Sequence, residues 1–133
     1  MLRLKIFSFS YKKSGVPKDT TANGGGFVFD CRFIYNPGRK EEFKHLTGKD
    51  IEVINFLDNN LEMKEFLNHT EAIVKSAINN YLQREFTDLM VCFGCTGGQH
   101  RSVYAAEKLK SIMQDTFGGK MNIELQHNDL PIA

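Results

Sequence analysis

Seven consecutive residues concentrate the polar chemistry of this sequence: Thr96, Gly97, Gly98, Gln99, His100, Arg101 and Ser102, directly after Cys95. Adjacent glycines let a backbone turn tightly and bring its N–H groups close to a ligand. Thr96 and Ser102 offer hydroxyl donors, His100 a further donor, and Arg101 a planar fork matched to phosphate oxygens. A helix beginning here would add its unpaired N–H groups and the positive end of its dipole. The set suits the binding of an anion, phosphate or a phosphorylated small molecule above all. The plain alternative is a glycine-rich turn in which Ser102 caps the helix and Arg101 faces solvent.

The same stretch carries a reactive option. Cys95 and Arg101 stand in the pattern C-x-x-G-x-x-R-S. That pattern resembles the phosphate loop of the cysteine-dependent phosphatases, where a thiolate attacks phosphorus and the arginine clamps the equatorial oxygens. A helix N-terminus and an adjacent cation favour the thiolate such chemistry needs. Asp19 or Asp30 would then act as general acid. Holding and cutting are both open at this point. Cys92 and Cys95 also form C-x-x-C, but Cys92 lies in an apolar run and no second ligand pair stands near it in sequence. Neither a metal, a redox pair nor a cofactor is expected.

For such a turn to work, a strand must lead into it and a helix out of it. "DLMVCFG" is a strand apolar on both sides, as in the middle of a covered, mostly parallel sheet. "QHRSVYAAEKLKSIMQDTF" reads as a helix with Val103, Ala106, Leu109 and Met113 inward, stopped by Gly118 and Gly119. Upstream, "LRLKIFSFSY" alternates with Leu2, Leu4, Ile6 and Ser8 on one face, a first strand. The polar, glycine-rich stretch "KKSGVPKDTTANGGG" is a long loop, and Phe27 to Tyr35 a second strand ended by "NPG". A charged, helical stretch follows from Arg39 to His45. Two further helices lie between Asp50 and Phe86, the longer with Phe66, Ile73, Ala77 and Tyr81 at helical spacing. "KMNIELQH" is the last strand. The order β-β-α-α-β-α-β predicts one α/β domain over residues 1–133, a mostly parallel four-stranded sheet covered by helices. Ligands of such sheets bind beyond the carboxyl ends of the strands. Lys12 and His127 close the first and last strands and could reach that crevice. Cys31 reads as core.

The composition sets the remaining bounds. The 133 residues, 41% hydrophobic and 25% charged, are the material of one globular domain. A net charge of +1 gives no basis for a broad grip on nucleic acid, and DNA is not an expected partner. No apolar run approaches the roughly 18 residues of a membrane span. "MLRLKIFSFSYKK" lacks the apolar centre of a signal peptide, and three cysteines suit reduced thiols, so a cytoplasmic location is expected.

"GCTGGQHRSVYAAE" resembles the hallmark of the C-terminal domain of the RapZ family of RNase adapter proteins. "SFSYK", "GVP", "FVFDCRFIYNP", "LTGKD" and a terminal "HND", where the family usually has His-Arg-Asp, agree in the same order. The resemblance covers nearly the whole chain. It implies a non-catalytic sensor that binds an amino-sugar phosphate, glucosamine-6-phosphate, and takes part in binding a small RNA or a regulatory protein. On that reading residues 95–102 hold the phosphate and Lys12 and His127 are possible additions. Asp30 faces the sugar ammonium with Arg32 beside it; a structural Asp30–Arg32 ion pair is the alternative. The sequence departs from the family in having Gly38 where a histidine is common, in lacking a basic tail, and in containing no G-x-x-x-x-G-K-[ST]. ATP hydrolysis is therefore not expected.

Overall fold

The computed structural model of the chain describes residues 1–23 and 25–132. Strands β1 (Leu2–Ser10), β2 (Gly26–Asp30), β3 (Asp88–Cys95) and β4 (Met121–His127) form one sheet in the order β2-β3-β1-β4. Every pairing is parallel. Three α-helices accompany them: α1 (Ile51–Asp58), α2 (Leu61–Gln83) and α3 (Arg101–Phe117).

Strand register explains where the core lies. Leu4 stands beside Leu89 and Ile123, and Ile6 beside Val91 and Leu125. The pleat therefore sends all of these to one face. On that face they meet Val53 and Leu57 of α1, Met63, Val74 and Ile78 of α2, and Leu109 and Met113 of α3. Each fully buried aliphatic side chain contributes about 2 kcal/mol of transfer free energy. All four inward positions expected of α3 are buried. Gly118 ends that helix at φ 53°, a conformation glycine adopts without cost.

Among the described residues, no helix contributes to the core on the other face of the sheet. Phe9, Met90 and Cys92 pack there with Phe7 and Tyr11. Pro17, Lys18, Asp19 and Thr20 of the long loop line a pocket together with Lys5, Phe7 and Met90 on this face. β3 is thus apolar on both sides because helices cover one side and aromatic rings with a loop cover the other. Burial pushes the Cys92 thiol up to about 12. Since residues three apart alternate faces, Cys92 and Cys95 lie on opposite sides of the sheet and form no C-x-x-C pair.

Three local readings are corrected. β2 stops at Asp30 rather than Tyr35, because the Asp30 carboxylate accepts the Arg32 backbone N–H at 2.9 Å and turns the chain. The stretch from Arg39 to His45 is not an α-helix; Pro37–Arg39 and Glu41–Phe43 each form a single 3₁₀ turn. The two helices expected after Asp50 form as α1 and α2, and the Asn60 side chain caps α2 by accepting from Met63 N at 2.9 Å. Finally, α2 buries Met63, Thr70, Val74 and Ile78, while Ile73 is 46% exposed. Two apolar stripes run along that helix, and Phe66 belongs to the edge where it packs on Phe29, Phe33 and Phe93.

Candidate anion-binding site

The loop from β3 to α3 lies at the carboxyl end of the two central strands, and its shape is imposed from β1 and from the residues after β4. Ser10 Oγ donates to the Thr96 carbonyl at 2.6 Å, and Tyr11 N donates to the Cys95 carbonyl at 3.0 Å. Gly98 adopts φ +65°, and a Cβ there would lie 2.9 Å from both Ser10 N and an Asp129 carboxylate oxygen. Asp129 itself accepts Ser10 N at 2.7 Å and the Ser14 hydroxyl at 2.6 Å. One carboxylate after the last strand therefore clamps the first strand's end against the glycine turn. Asp129→Ala should cost about 2 kcal/mol of stability, from a lost charge-assisted bond and an orphaned N–H. Urea unfolding followed by circular dichroism would read this; an unchanged midpoint would show that the clamp carries no weight.

α3 begins at Arg101 after His100, which makes no side-chain cap bond. Tyr104 N is the first amide of the helix to bond back, to the His100 carbonyl at 2.9 Å. The N–H groups of Arg101, Ser102 and Val103 precede it, as at every helix start. Ser102 does not cap. It is fully buried with Oγ 3.1 Å from Cys95 Sγ.

Arg101 is only 4% exposed, so the plain alternative with this side chain in solvent does not form. Nη1 donates to the carbonyls of Arg32 at 3.0 Å and Ile34 at 2.8 Å, whereas Nε is buried without a partner. Half of the fork is thus spent on holding the segment after β2. Gln99 Nε2 is likewise spent, donating to the carbonyls of Lys44 and Leu46 at 2.8 Å each. His100 Nε2 lies 2.8 Å from the Phe43 carbonyl. Burial, as the largest effect, lowers the His100 pKa below its ordinary value, which favours the neutral ring.

These contacts enclose a cleft of about 340 Å³ lined by Asn36, Gly38, Lys44, Cys95, Gly97, Gln99, His100 and Arg101. Among the described residues no carboxylate lines it, while Lys44 and Arg101 bring positive charge, although Lys44 also pairs with Glu41 at 2.8 Å. The wall is suited to an anion. Five of the residues singled out in the sequence meet here: Cys95, Gly97, Gln99, His100 and Arg101. Thr96, Gly98 and Ser102 shape the wall from behind.

The other expected residues stand elsewhere. Asp30 and Arg32 pair with each other through a bond of 2.7 Å, Arg32 lies 3.8 Å over the Tyr11 ring, and neither side chain lines the cleft. That pairing lowers the Asp30 pKa, the hydrogen bond from Arg32 being the largest cause. Lys12 is exposed, with its amide bonded to Ser10 Oγ at 3.1 Å. His127 sits between Ser8 Oγ at 2.6 Å and Glu107 Oε2 at 2.8 Å. Asp19 lines a pocket on the opposite face of the sheet from Cys95. Asn36 and Lys44 escaped sequence reasoning. Asn36 sat inside a turn signal, and nothing in a charged stretch distinguishes Lys44 from its neighbours.

A family model described as the RapZ C-terminal domain matches residues 2–131. A nucleotide-binding protein of Thermosipho melanesiensis is 41% identical over 128 residues, covering 96% of this chain and 42% of that protein. A nucleotide-binding protein of Methylococcus capsulatus is 37% identical over 131 residues, covering 98% of this chain and 41% of the relative. One of Pseudothermotoga lettingae is 34% identical over 130 residues, again 98% and 42%. The chain thus spans less than half the length of these curated relatives.

Proposed function

The chain belongs to the RapZ C-terminal domain family, and from that premise we propose that it binds a phosphorylated small molecule and does not transform it. The observation that carries the reading is Arg101, a buried cation with an unpartnered Nε at the wall of a cleft free of carboxylates. A buried donor left unpaired costs about 1–3 kcal/mol, and a bound anion would recover it. Glucosamine-6-phosphate is the ligand that the family resemblance implies. The name of the relatives, nucleotide-binding proteins, concerns chains more than twice as long, and this sequence has no G-x-x-x-x-G-K-[ST]. Occupancy would act as a signal passed to a small RNA or a regulatory protein in the cytoplasm. The three free, buried cysteines suit a reducing compartment.

Isothermal titration with glucosamine-6-phosphate at low salt tests the reading. Heats that saturate and return to baseline are expected. A baseline displaced after each injection would mean turnover and make Cys95 a nucleophile, since it lines the same cleft and keeps phosphatase spacing to Arg101. Absence of heat with this sugar and with inorganic phosphate would reject the anion site.

A further inference from the structure

Sequence spacing sets Cys95 against Cys92, but the sheet sets it against Cys31. In the register of β2 on β3, Phe29 stands beside Phe93 and Asp30 beside Gly94. One step further the same register puts Cys31 beside Cys95, and the Cys31 N–H still donates to the Gly94 carbonyl at 2.7 Å. Phe29 and Phe93 meet with ring centroids 5.5 Å apart, and Phe29 packs on Phe66 of α2. Residues two apart in a strand share a face, so both thiols turn to that helix-covered side, where both belong to the core. Neighbouring strands lie about 4.8 Å apart, inside the Cα separation of about 4.4–6.8 Å that a disulfide spans. Both cysteines are free.

The two thiols differ in access. Cys95 lines the cleft and Cys31 does not. Burial, as the largest cause, pushes the Cys31 thiol well above its ordinary pKa and keeps it protonated. A small oxidant entering the cleft therefore meets Cys95 first.

We propose that Cys31 and Cys95 are a redox pair, which a peroxide closes into a disulfide that weakens anion binding. The Cys95 sulfur attacks one peroxide oxygen and the O–O bond breaks. Cys95 becomes a sulfenic acid, and the other oxygen leaves as water with the thiol proton. The Cys31 sulfur then attacks the Cys95 sulfur, the S–O bond breaks, and the hydroxyl leaves with the Cys31 proton as a second water. Two thiols are oxidised to one disulfide, and one peroxide is reduced to two waters. The weakening rests on the anion-binding reading above. Drawing Cys95 Sγ toward Cys31 takes it from Ser102 Oγ, 3.1 Å away at the start of α3. It also strains the segment that follows Cys31, where the carbonyls of Arg32 and Ile34 hold Arg101. A shift of those carbonyls moves the guanidinium.

The test treats folded, reduced protein with stoichiometric hydrogen peroxide and maps its cross-links by tandem mass spectrometry. A Cys31–Cys95 link is expected, reversed by dithiothreitol, kept in Cys92→Ala and absent in Cys31→Val. Protein oxidised in urea should link Cys92 to Cys95 instead, since these are nearest in sequence. The oxidised folded protein should bind inorganic phosphate about fivefold more weakly, roughly one hydrogen bond's worth, and dithiothreitol should restore the affinity. A folded protein whose peroxide product lacks the Cys31–Cys95 link overturns the pair. A link that leaves phosphate affinity unchanged overturns the switch. Reduced protein that binds no phosphate removes the anion reading and the switch with it, while the cross-link map still decides the pair.

Discussion

Replacing Gly48 by alanine is expected to cost about 3 kcal/mol of stability and to abolish anion binding. A Cβ at Gly48 would stand 2.4 Å from the His100 carbonyl oxygen and 2.4 Å from Tyr104 N. Both are backbone atoms of the first turn of α3, so no side-chain rotation can make room. Gly48 N also donates to the Gln99 carbonyl at 2.9 Å, which brings the 44–50 segment against the glycine loop. Pushing that segment away would break the Gln99 contacts to Lys44 and Leu46 and withdraw Lys44 from the cleft. Thermal unfolding and phosphate titration of the variant measure the two effects. A folded variant of unchanged affinity would show that the segment's contact with α3 does not build the site.

Arg101→Ala is expected to act twice. Phosphate affinity should fall by at least about 2 kcal/mol, the range for a charge-assisted contact. Stability should fall by about 3 kcal/mol as well, because the carbonyls of Arg32 and Ile34 lose their buried donor. Arg101→Lys separates the parts. An ammonium keeps the charge but cannot reach two carbonyls and the cleft through one planar group, so it should restore less than half of either loss. Affinity unchanged in Arg101→Ala, measured by titration below the unfolding transition, would remove Arg101 from the ligand.

What the sequence made legible was periodic or concentrated. The alternation from Leu2 to Ser8, the double-sided run from Leu89 to Phe93 and the inward face of α3 all follow from hydrophobic spacing, and a cleft lies beside the polar cluster. Legibility failed where one side chain redirected the backbone. Asp30 turns the chain through its bond to the Arg32 amide, and so ends a strand that apolar alternation would have continued to Tyr35. The same event takes Asp30 out of the cleft, since its carboxylate is engaged by Arg32. The double use of Arg101 and Gln99 was hidden for a related reason. A sequence shows which donors are present, but which carbonyls claim them depends on how segments tens of residues apart meet. Arg101 lies 67 residues from Ile34, and Gln99 lies 55 residues from Lys44.

The clamp by Asp129 also orders events in time. Ser10 and Asp129 are 119 residues apart, and β1, at the interior of the sheet, pairs with β4 along most of its length. During vectorial synthesis β1 emerges before both of its neighbours, β3 and β4, and waits for them. Until residues near 129 are free of the exit tunnel, the turn at Gly98 has no carboxylate at its back. Such long waits between first and last partners favour slow, all-at-once closure over stepwise assembly. The site is therefore complete only once residues 10, 98 and 129 have all emerged.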